Sequence, residues 1–401
     1  MSKLFIEDLP IQGKKVLMRV DFNVPLDNEL NVADTTRIDS ALRSIRYVLD
    51  QGGALILMSH LGRPQYEPRP DLSLAPVAKV LSKLLNQPVQ MAKDCLGEQV
   101  LDSVNALQAK EVLLLENLRF HRAEEHPEED PEFAKELASF GDLYVNDAFG
   151  SAHRKHSSTY TITRYFPGKA AAGYLLQQEM HFLGDLLTDP KRPFYALIGG
   201  AKISTKIGVI KSLLKKVDQL FIGGGMAYTF LKAEGLAIGD SLCEEDLIPL
   251  AKEILQAHRE KIILPIDVLA ATECSEETPY KEVKVDEGIP KGYQGLDIGP
   301  HTLEMFSEKL KNSHTVLWNG PFGVYEFDSF AQGTLALADT ISKLNATTII
   351  GGGDLIAALQ GTKAIEAMSH VSTGGGATLE YLESGTLPAI EALSEKKIYQ
   401  S

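Results

Sequence analysis

Short apolar runs recur along the chain with helical segments between them. The runs are rich in Val, Ile and Leu and do not alternate with polar residues, which is typical of strands buried on both faces of a sheet. They cover residues 15–22, 54–59, 112–115, 143–146, 194–198, 219–222, 262–266, 315–318, 347–350 and 370–372. Apolar residues spaced three and four apart predict intervening helices, for example over 74–85, 204–217 and 246–258. Strands that alternate with helices indicate parallel sheets covered by helices on both faces.

The length of the chain and one helical segment predict how these elements are divided. At 401 residues the chain is too long for one comfortable hydrophobic core, so we expect two domains. Residues 173–187 carry helix formers with apolar residues on one side and predict a connecting helix. We therefore predict an α/β fold of two doubly wound, Rossmann-like parallel-sheet domains, residues 1–172 and 188–390, joined by this helix with a cleft between them.

The overall composition excludes several classes of protein. A net charge of −14 disfavours nucleic-acid binding, which requires a basic surface to neutralise phosphates. No apolar run approaches the roughly 20 residues needed to cross a bilayer, and Glu7 and Asp8 interrupt the stretch that a signal peptide would need. The three cysteines, Cys95, Cys243 and Cys274, are far apart and predict neither a disulfide framework nor a zinc site. We expect a cytoplasmic monomer without a membrane or nucleic-acid partner.

Arginine and glycine are distributed unequally between the two predicted domains. Ten of the twelve arginines precede Gly173, whereas 25 of the 33 glycines lie at or after it. The two halves are therefore expected to bind different chemical groups.

Glycine-rich turns follow predicted strands at five places in the second half. They read GGAK at 199–202, GGG at 223–225, NGPFGVYE at 319–326, GGGD at 351–354 and TGGGA at 373–377. In an open parallel sheet, ligands bind beyond the carboxyl ends of the strands, where these turns lie. Glycine lets the backbone approach a phosphate closely, and a following helix presents free N–H groups. One such turn is weak evidence because tight turns use glycine anyway, but five at one edge predict a phosphate-containing ligand.

The second half lacks the motifs of the common nucleotide-binding folds. The chain contains no GxxxxGK[ST] and no GxGxxG, which argues against an ordinary P-loop NTPase, a dinucleotide fold and a protein kinase. Lys202 and Lys206 are placed to hold nucleotide phosphates, with solvated surface lysines as the alternative. Asp354 precedes a predicted helix, where its carboxylate either holds Mg²⁺ beside the phosphates or caps the helix.

Polar and cationic residues follow the predicted strands of the first half. The segments are RVDFN at 19–23, SHLGRP at 59–64, ENLRFHR at 116–122 and NDAFGSAHRKHSS at 146–158, with Arg37 after the first of them. Arginines and histidines at the ends of neighbouring strands would converge on one place and bind a compact polyanion. The HRKH run at 153–156 also suggests a metal site, but it lacks Cys or carboxylates in ligand spacing. Anion binding is the better interpretation.

Ten motifs in this order resemble those of the phosphoglycerate kinase family. They are RVDFNVP, SHLGRP, LENLRFH, NDAFGSAHR, GGAK, FIGGG, LDIGP, WNGP, IGGGD and STGGGA, and together they extend over essentially the whole chain. The resemblance implies a reversible phosphoryl transfer between ATP and 3-phosphoglycerate that gives ADP and 1,3-bisphosphoglycerate and uses Mg²⁺. It also implies that a carboxyl-terminal tail, residues 391–401, packs on the first domain.

The same motifs imply which residues bind each substrate. For the phosphoglycerate they are Asp21, Phe22, Asn23, Arg37, His60, Leu61, Gly62, Arg63, Arg119 and Arg154. For the nucleotide they are Gly200, Lys202, Lys206, Gly224, Asn319, Pro321, Glu326, Gly351, Gly352, Gly353, Asp354 and Leu355, with Asp354 also on the metal. Those expected nearest the transferring phosphoryl group are Arg37, Lys202, Gly375 and Gly376. The family commonly has Ser or Thr after GGGD, so Leu355 removes a hydroxyl contact and leaves the backbone N–H.

The implied reaction does not require a catalytic base, and the chain has no motif that would supply one. A carboxylate acceptor is already ionised at neutral pH, so no general base is needed, and alignment and positive charge supply the catalysis. Two other classes share some of the features. A non-catalytic two-lobed binding protein would bind one ligand instead of two, and a dehydrogenase would carry the missing dinucleotide fingerprint.

Overall fold

The computed structural model describes residues 3–396, which form two compact units. The first unit contains residues 3–181 together with 386–396, and the second unit is Phe182–Gly385. The division falls inside one helix, Tyr174–Thr188. Over the described part of the chain, no helix has the length and apolar character that a membrane span requires.

Six parallel strands form the sheet of the first unit. They are β1 (Lys15–Val20), β2 (Ala54–Met58), β3 (Val89–Met91), β4 (Val112–Leu114), β5 (Leu143–Asp147) and β6 (Ala170–Ala172). Their order across the sheet is β3-β4-β2-β1-β5-β6. The helices are α1 (Thr36–Asp50), α2 (Ala75–Leu85), α3 (Glu98–Ala106), α4 (Pro131–Ser139) and the start of α5 (Tyr174–Thr188). Helix α1 buries Ile38, Ala41, Ile45 and Val48, spaced three and four apart, against the sheet.

The second unit contains a larger set of strands in two sheets. They are β7 (Phe194–Ile198), β8 (Gln219–Ile222), β9 (Ile262–Ile263), β10 (Asp267–Ala271), β11 (Tyr280–Lys284), β12 (Gln294–Ile298), β13 (Thr315–Asn319), β14 (Thr347–Gly351) and β15 (His370–Ser372). A parallel sheet has the order β15-β14-β13-β7-β8-β9, and a small antiparallel sheet has the order β11-β10-β12.

Helices follow most strands of the second unit. They are α6 (Ile207–Leu214), α7 (Met226–Ala233), α8 (Ile248–His258), α9 (Pro300–Leu310), α10 (Asp328–Ser342), α11 (Gly353–Leu359), α12 (Lys363–Glu366) and α13 (Gly376–Ser384), while α14 (Pro388–Glu391) belongs to the first unit. Trp318 and Phe322 lie in the core of the second unit among apolar residues of α9, α10 and α11. Because the strands of each main sheet are parallel, the turns that lead from a strand to the following helix lie at the carboxyl edge of that sheet.

The α/β fold of two units, each with a parallel sheet, is confirmed. Three predicted strands, β7, β8 and β15, have the predicted bounds. The prediction of one strand over 262–266 was wrong. Only Ile262–Ile263 pairs in the parallel sheet, and the chain then passes Pro265, which has no N–H to donate, and enters the antiparallel sheet at Asp267. The helix predicted from residue 204 begins at Ile207, after a turn.

The end of the described chain lies on the first unit. The sequence analysis assigned residues 386–390 to the second domain, but Leu387, Ala389 and Ile390 are buried on the first unit, where the Ala389 N–H donates to the Ala152 carbonyl over 3.0 Å. Ser394 bonds to both Leu4 and Ala170 through its backbone. Of the predicted tail 391–401, residues 397–401 lie outside the described residues.

Candidate active site

The loops after β1, β2 and β4 are tied together at Gly62. The Asn23 Oδ1 atom accepts a hydrogen bond from the Gly62 N–H over 2.8 Å, and Arg119 Nη1 donates to the Gly62 carbonyl over 3.0 Å. Asn117 bridges the same loops, since its side-chain amide bonds both backbone groups of Leu61. Sequence reasoning predicted that these strand ends would converge, and the structure brings Asn23, Gly62 and Arg119 into contact.

Arg37 and Asp21 form an ion pair at the same edge. Arg37 is the second residue of α1 and Asp21 follows β1 directly. Gly150, in the loop after β5, lies so close that a Cβ there would be 2.8 Å from Asp21 Oδ2. The side chain of Arg37 is 37% exposed, so its guanidinium remains accessible to a ligand.

A buried polar network lies beneath this edge. Arg19, at the end of β1, is 1% exposed; its Nε donates to Ser158 Oγ over 2.8 Å and its Nη1 donates to the Val20 carbonyl. Its Nη2 lies 3.0 Å from His60 Nδ1. Ser158 Oγ donates to Glu124 Oε1 over 2.6 Å, and Glu124 is fully buried. The network anchors His60 from the protein side.

The positive charges at this edge keep the histidines neutral. Burial, with Arg19, Arg119, His156 and Arg37 nearby, holds the pKa of His60 well below its ordinary value. Burial and the same kind of cationic surroundings lower the pKa of His156 to about 3. Burial lowers the pKa of Arg119 as well, and nearby Arg19 and Arg63 act in the same direction. Such a cluster, in which like charges raise one another's energy, is relieved by an anion.

Arg154, Arg63, Phe22 and Leu61 occupy different surroundings from the residues above. Arg154 is exposed and lines a cavity of about 570 Å³ together with Lys155, His156, Tyr160 and Arg164. The Arg63 side chain is exposed in the loop after β2. Phe22 and Leu61 lie with their side chains in the hydrophobic core. They can offer a ligand only backbone groups, and the Phe22 N–H is already donated to Ser59 Oγ.

Lys206 is a half-buried cation at the carboxyl edge of the second unit. Its Nζ donates to the Gly199 carbonyl over 2.6 Å and to Asn319 Oδ1 over 2.8 Å, which ties the turn after β7 to the end of β13. Burial lowers its pKa to about 8, and only the nearby carboxylate of Asp354 opposes this shift. The sequence alternative of a solvated surface lysine is therefore wrong for Lys206, whereas Lys202 is exposed.

The glycine turns of the second unit pack backbone against backbone. Gly200 and Gly224 have positive φ values of 113° and 67°, which favour glycine. A Cβ on Gly224 would lie 2.6 Å from the Gly200 N atom, and a Cβ on Gly199 would lie 2.7 Å from the Gly320 carbonyl oxygen. Side chains are excluded from this edge for steric reasons, so it presents main-chain groups to a ligand.

A cavity of about 340 Å³ opens beside these turns. The predicted residues that line it are Gly200, Gly224, Pro321, Glu326 and Asp354. Residues that sequence reasoning missed line the other side, and they include Tyr228, Leu242, Cys274, Leu296 and Tyr325. The missed set offers aromatic and aliphatic surface, including the 46% exposed Leu242. A flat apolar group with a phosphate tail matches a cavity of this composition.

The remaining predicted residues of the second unit lie at the same sheet edge without lining that cavity. Asn319 ends β13 and has its Nδ2 buried with no hydrogen-bond partner in the described structure. A Cβ on Gly352 would lie 3.2 Å from that Nδ2 atom. Gly375 and Gly376 follow β15 and begin α13. An unpartnered buried donor beside a glycine turn is suited to an acceptor such as a phosphate oxygen.

Two clusters in the described residues carry three possible metal ligands each. One contains Asp94, Cys95 and His121, and the other contains His126, Glu128 and Glu129. Neither contains a residue of the HRKH run, so the alternative of a histidine metal site there has no support.

The sequence of the chain matches the model of a known family. A model of the family described as phosphoglycerate kinase matches residues 6–385 of this chain. The chain belongs to the phosphoglycerate kinase family. Relatives include the phosphoglycerate kinase of Chlorobium phaeovibrioides, 53% identical over 98% of this chain and 100% of its own length, and that of Chlamydia muridarum, 51% identical over 98% and 99%.

Solved structures of phosphoglycerate kinases are similar over nearly the whole chain. The enzyme from Coxiella burnetii has a TM-score of 0.88 and 39% identity, and it covers 97% of this chain and 98% of its own. The enzyme from Pyrococcus horikoshii has a TM-score of 0.84 and 30% identity, with the same coverage. This chain is accordingly a phosphotransferase, and the alternatives of a non-catalytic binding protein or a dehydrogenase are not supported.

Leu355 marks a departure from the phosphoglycerate kinase motif. Its side chain is fully buried in the core of the second unit, where Trp318, Leu337 and Leu359 also lie. Its N–H belongs to the first turn of α11, in which helical N–H groups lack a partner within the helix. The position can therefore contact a nucleotide only through its backbone.

Proposed function

We propose that this chain transfers a phosphoryl group reversibly between ATP and 3-phosphoglycerate, giving ADP and 1,3-bisphosphoglycerate, as a monomer in the cytoplasm. The observation that supports this most is the presence of two unlike sheet edges in one member of the family. One edge gathers arginines around an accessible guanidinium, and the other presents glycine backbone beside a partly apolar cavity. A single-ligand protein would need only one of them.

The phosphoglycerate binds at the edge of the first unit. Its phosphate and carboxylate are matched by the guanidinium groups of Arg37, Arg63, Arg119 and Arg154. Asp21 holds Arg37 by an ion pair, and Asn23 fixes the loop that carries Arg63 through its bond to Gly62. Arg119 is held by Gly62 and by Glu125, 3.1 Å away. Since Arg37 and Arg119 are already oriented by protein groups, these two side chains lose little entropy when the anion binds.

The nucleotide binds at the edge of the second unit. Its base occupies the cavity between the glycine turns and the apolar side chains of Tyr228, Leu242 and Leu296. Its phosphates extend toward Lys206 and the unpartnered Asn319 Nδ2. Glycine turns at this edge let the main chain approach the phosphates without a side chain between them.

The residues of this edge fit a magnesium ion. Mg²⁺ prefers one or two carboxylates together with phosphate oxygens and water. Asp354 offers an exposed carboxylate that lines the nucleotide cavity, and no described residue hydrogen-bonds it. When bound, the ion neutralises phosphate charge and orients the phosphate chain. Asp354 holds it, and Lys206, whose pKa is sensitive to Asp354, supplies a second positive charge nearby.

Catalysis depends on alignment and charge. The acceptor carboxylate needs no base, so the chain has to orient it, keep water out and stabilise the transferring group. Arg37, Lys202 and the N–H groups of Gly375 and Gly376 take the last role by their motifs. The two ligands have different binding edges, so we propose that binding of both brings the two units together. Small-angle scattering should then show a smaller radius of gyration with both ligands than with either alone, at the mass of one chain.

A coupled assay tests the proposed activity. ADP should form from ATP only when both 3-phosphoglycerate and Mg²⁺ are present, and chelation of the metal should abolish the reaction. ATP turnover at the same rate without 3-phosphoglycerate would contradict the assignment of the acceptor. Full activity after complete removal of divalent ions would contradict the assignment of the metal.

A further inference from the structure

His60 lies between a buried arginine and the ligand side of the first unit. Its ring is 94% buried, and its Nδ1 lies 3.0 Å from Arg19 Nη2. No described residue hydrogen-bonds its Nε2. The ring therefore has one nitrogen that belongs to the protein and one that is available to a ligand.

The chemistry of arginine decides which nitrogen carries the proton. A guanidinium has five N–H donors and no acceptor, and it does not lose its proton in proteins. In a contact between Arg19 Nη2 and His60 Nδ1, the nitrogen of the imidazole must be the acceptor. Nδ1 then has no proton, and the proton of a neutral ring is on Nε2. The contact distance alone could not establish this, but the identity of the donor does.

Arg19 is itself fixed so that it cannot turn away from His60. Its Nε donates to Ser158 Oγ and its Nη1 donates to the Val20 carbonyl. The Ser158 hydroxyl uses its own proton for Glu124 Oε1, so its oxygen is left to accept from Arg19. Glu124 also accepts from the Ser158 N–H over 3.0 Å. Each hydrogen bond of this network therefore has one possible donor. Arg19 donates to His60 and to Ser158, and Ser158 donates to the buried carboxylate of Glu124.

The charges around the ring also disfavour a second proton. Arg19, Arg119, Arg37 and His156 lie close enough to lower the pKa of His60, in addition to its burial. The buried carboxylate of Glu124 lies 3.8 Å from Arg19 Nη2, so its charge is paired with that guanidinium. In a cationic imidazole, Nδ1 would also carry a proton. Its N–H would then face the N–H of Arg19, and the hydrogen bond between them would be lost.

We propose that Arg19 is a positioning residue that fixes His60 as the neutral Nε2–H tautomer, so that His60 serves the acceptor substrate as a directional hydrogen-bond donor and not as a cation. The proposal rests on the proposed function, in which His60 contacts 3-phosphoglycerate. It assigns different tasks to two kinds of residue at one edge. Arginines supply charge, and His60 supplies orientation, because a neutral N–H bonds an oxygen lone pair along one direction.

Nitrogen-15 NMR of the full-length protein tests the tautomer directly. In protein labelled at histidine, the His60 signals are identified by their loss in His60→Gln. Between pH 6 and 8 the ligand-free enzyme should show Nδ1 without a proton and Nε2 with one. A protonated Nδ1, in either the cation or the other tautomer, overturns the proposal without any variant of Arg19.

Two substitutions of His60 test which nitrogen the substrate uses. The amide nitrogen of glutamine can occupy the place of Nε2, whereas that of asparagine is closer to the place of Nδ1. His60→Gln should keep the Michaelis constant for 3-phosphoglycerate within about threefold, and His60→Asn should raise it by roughly tenfold, the usual scale for a lost hydrogen bond to a charged group. Equal losses in both variants would contradict the directional role.

A charge-neutral double variant tests Arg19 itself. Arg19→Met alone would leave Glu124 buried without a cation, so Arg19→Met is combined with Glu124→Gln, and Glu124→Gln alone is the control. The control should retain the Nε2–H tautomer. The double variant should show a measurable fraction of Nδ1–H and a Michaelis constant for 3-phosphoglycerate that is raised roughly tenfold, with that for ATP unchanged. An unchanged tautomer and constant in a folded double variant would exclude a positioning role for Arg19.

Titration with 3-phosphoglycerate separates this proposal from the proposed function. If calorimetry shows that the acid binds and the His60 Nε2 signal does not move, His60 is not its contact and the positioning role fails alone. If the acid does not bind at all, the proposed function fails, whatever the tautomer of the free enzyme.

Discussion

The two sheet edges of this protein present opposite kinds of chemical group to a ligand. At the edge of the first unit these groups are charged side chains. Ion pairs and a buried network that includes Arg19 and Glu124 hold them in place. At the edge of the second unit the side chains are mostly removed, because a Cβ at Gly199 or Gly224 would collide with neighbouring main chain. Lys206, Asn319 and Asp354 are polar side chains that remain there, and three oxygen atoms hold the Lys206 Nζ in place.

The difference fits the shapes of the two ligands that we propose for these edges. A small acid with a carboxylate and a phosphate at its two ends is recognised by cations at defined places. A nucleotide is long, with a flat apolar base and a chain of phosphates, so it needs a cavity and a smooth backbone surface. The two edges should therefore respond differently to substitution, since the first depends on charge and the second on the space that glycine leaves.

Removal of one charge at the first edge should have the largest effect. We expect Arg37→Ala to lower turnover by at least about a hundredfold, the usual scale for one preorganised charge at a developing anion, while the Michaelis constant for ATP barely changes. Arg46→Ala on the same helix is the matched control, since Arg46 is exposed and bonds only the Leu84 carbonyl. If only the Michaelis constant for 3-phosphoglycerate changed, Arg37 would bind the acid without stabilising the transfer.

Adding a side chain at the second edge should have the second largest effect. Gly199→Ala would place a methyl group against the main chain of Gly320, and overpacking of this kind costs about 1–3 kcal/mol. We expect nucleotide affinity to fall roughly thirtyfold and 3-phosphoglycerate affinity to stay the same. Gly184→Ala is the control, because its added Cβ would have only Tyr381 Oη near it, at 3.4 Å. Calorimetric titration measures both ligands, and an unchanged nucleotide affinity would show that the edge tolerates side chains.

Asp354 is the carboxylate that should distinguish free nucleotide from its magnesium complex. Asp354→Asn should weaken binding of Mg-ADP by roughly tenfold, leave metal-free ADP within a factor of two or bound more tightly, and not affect 3-phosphoglycerate. Asp339→Asn is a matched control on α10, where Asp339 forms an exposed ion pair with Lys343. Equal affinity of wild type and Asp354→Asn for Mg-ADP would show that Asp354 does not hold the metal; the alternative of a helix cap is already contradicted, because the N-cap residue of α11 is Gly352 and no side chain caps this helix.

The half-buried Lys206 of the second edge predicts a pH dependence of nucleotide binding. Lys206 has a pKa of about 8 in the free protein, so it is charged below that pH and neutral above it. A bound polyanion favours the charged form, so affinity is highest at low pH and falls as pH rises through 8. ADP affinity should drop roughly tenfold between pH 8 and pH 9.5, with proton uptake detectable by calorimetry in different buffers. The ADP affinity of Lys206→Arg should not change over this pH range. If the affinity of the wild type does not change either, the pKa of Lys206 lies outside the range.

Much of the architecture could be predicted because its signals are local. Runs such as those of β7, which reads FYALI, and β8, which reads QLFI, are almost entirely apolar, as central parallel strands require. The antiparallel sheet was missed since β11 is largely exposed and reads YKEVK, which contains no apolar run. Strands β3 and β6 were missed because neither carries a run of Val, Ile and Leu: β3 reads VQM and has no buried residue, and β6 reads AAA.

The site could be predicted only where a motif carries the relevant groups. Asn23 stands in such a motif, Arg37 and Lys206 follow one along the chain, and all three lie at the predicted edges. The lining contributed by Tyr228 and Leu242 comes from segments that have no motif, and it was missed. Arg19 lies inside a strand, and its partner Ser158 is 139 residues away, so no local pattern shows that its charge is buried and satisfied.

Leu355 gives the smallest expected effect and tests whether the second edge depends on backbone alone. Its side chain lies in the core, so Leu355→Thr, which restores the hydroxyl common in the family, exchanges buried apolar volume for a polar group. We expect the free energy of unfolding to fall by about 2–4 kcal/mol, while Mg-ADP affinity changes by less than about threefold. Leu355→Met, which nearly conserves volume, should cost less than about 1.5 kcal/mol and leave affinity unchanged. Denaturant unfolding and calorimetry measure the two quantities separately. A tenfold gain in affinity for Leu355→Thr would show that a hydroxyl at this position reaches the phosphates, and the second edge would then depend on side chains as the first does.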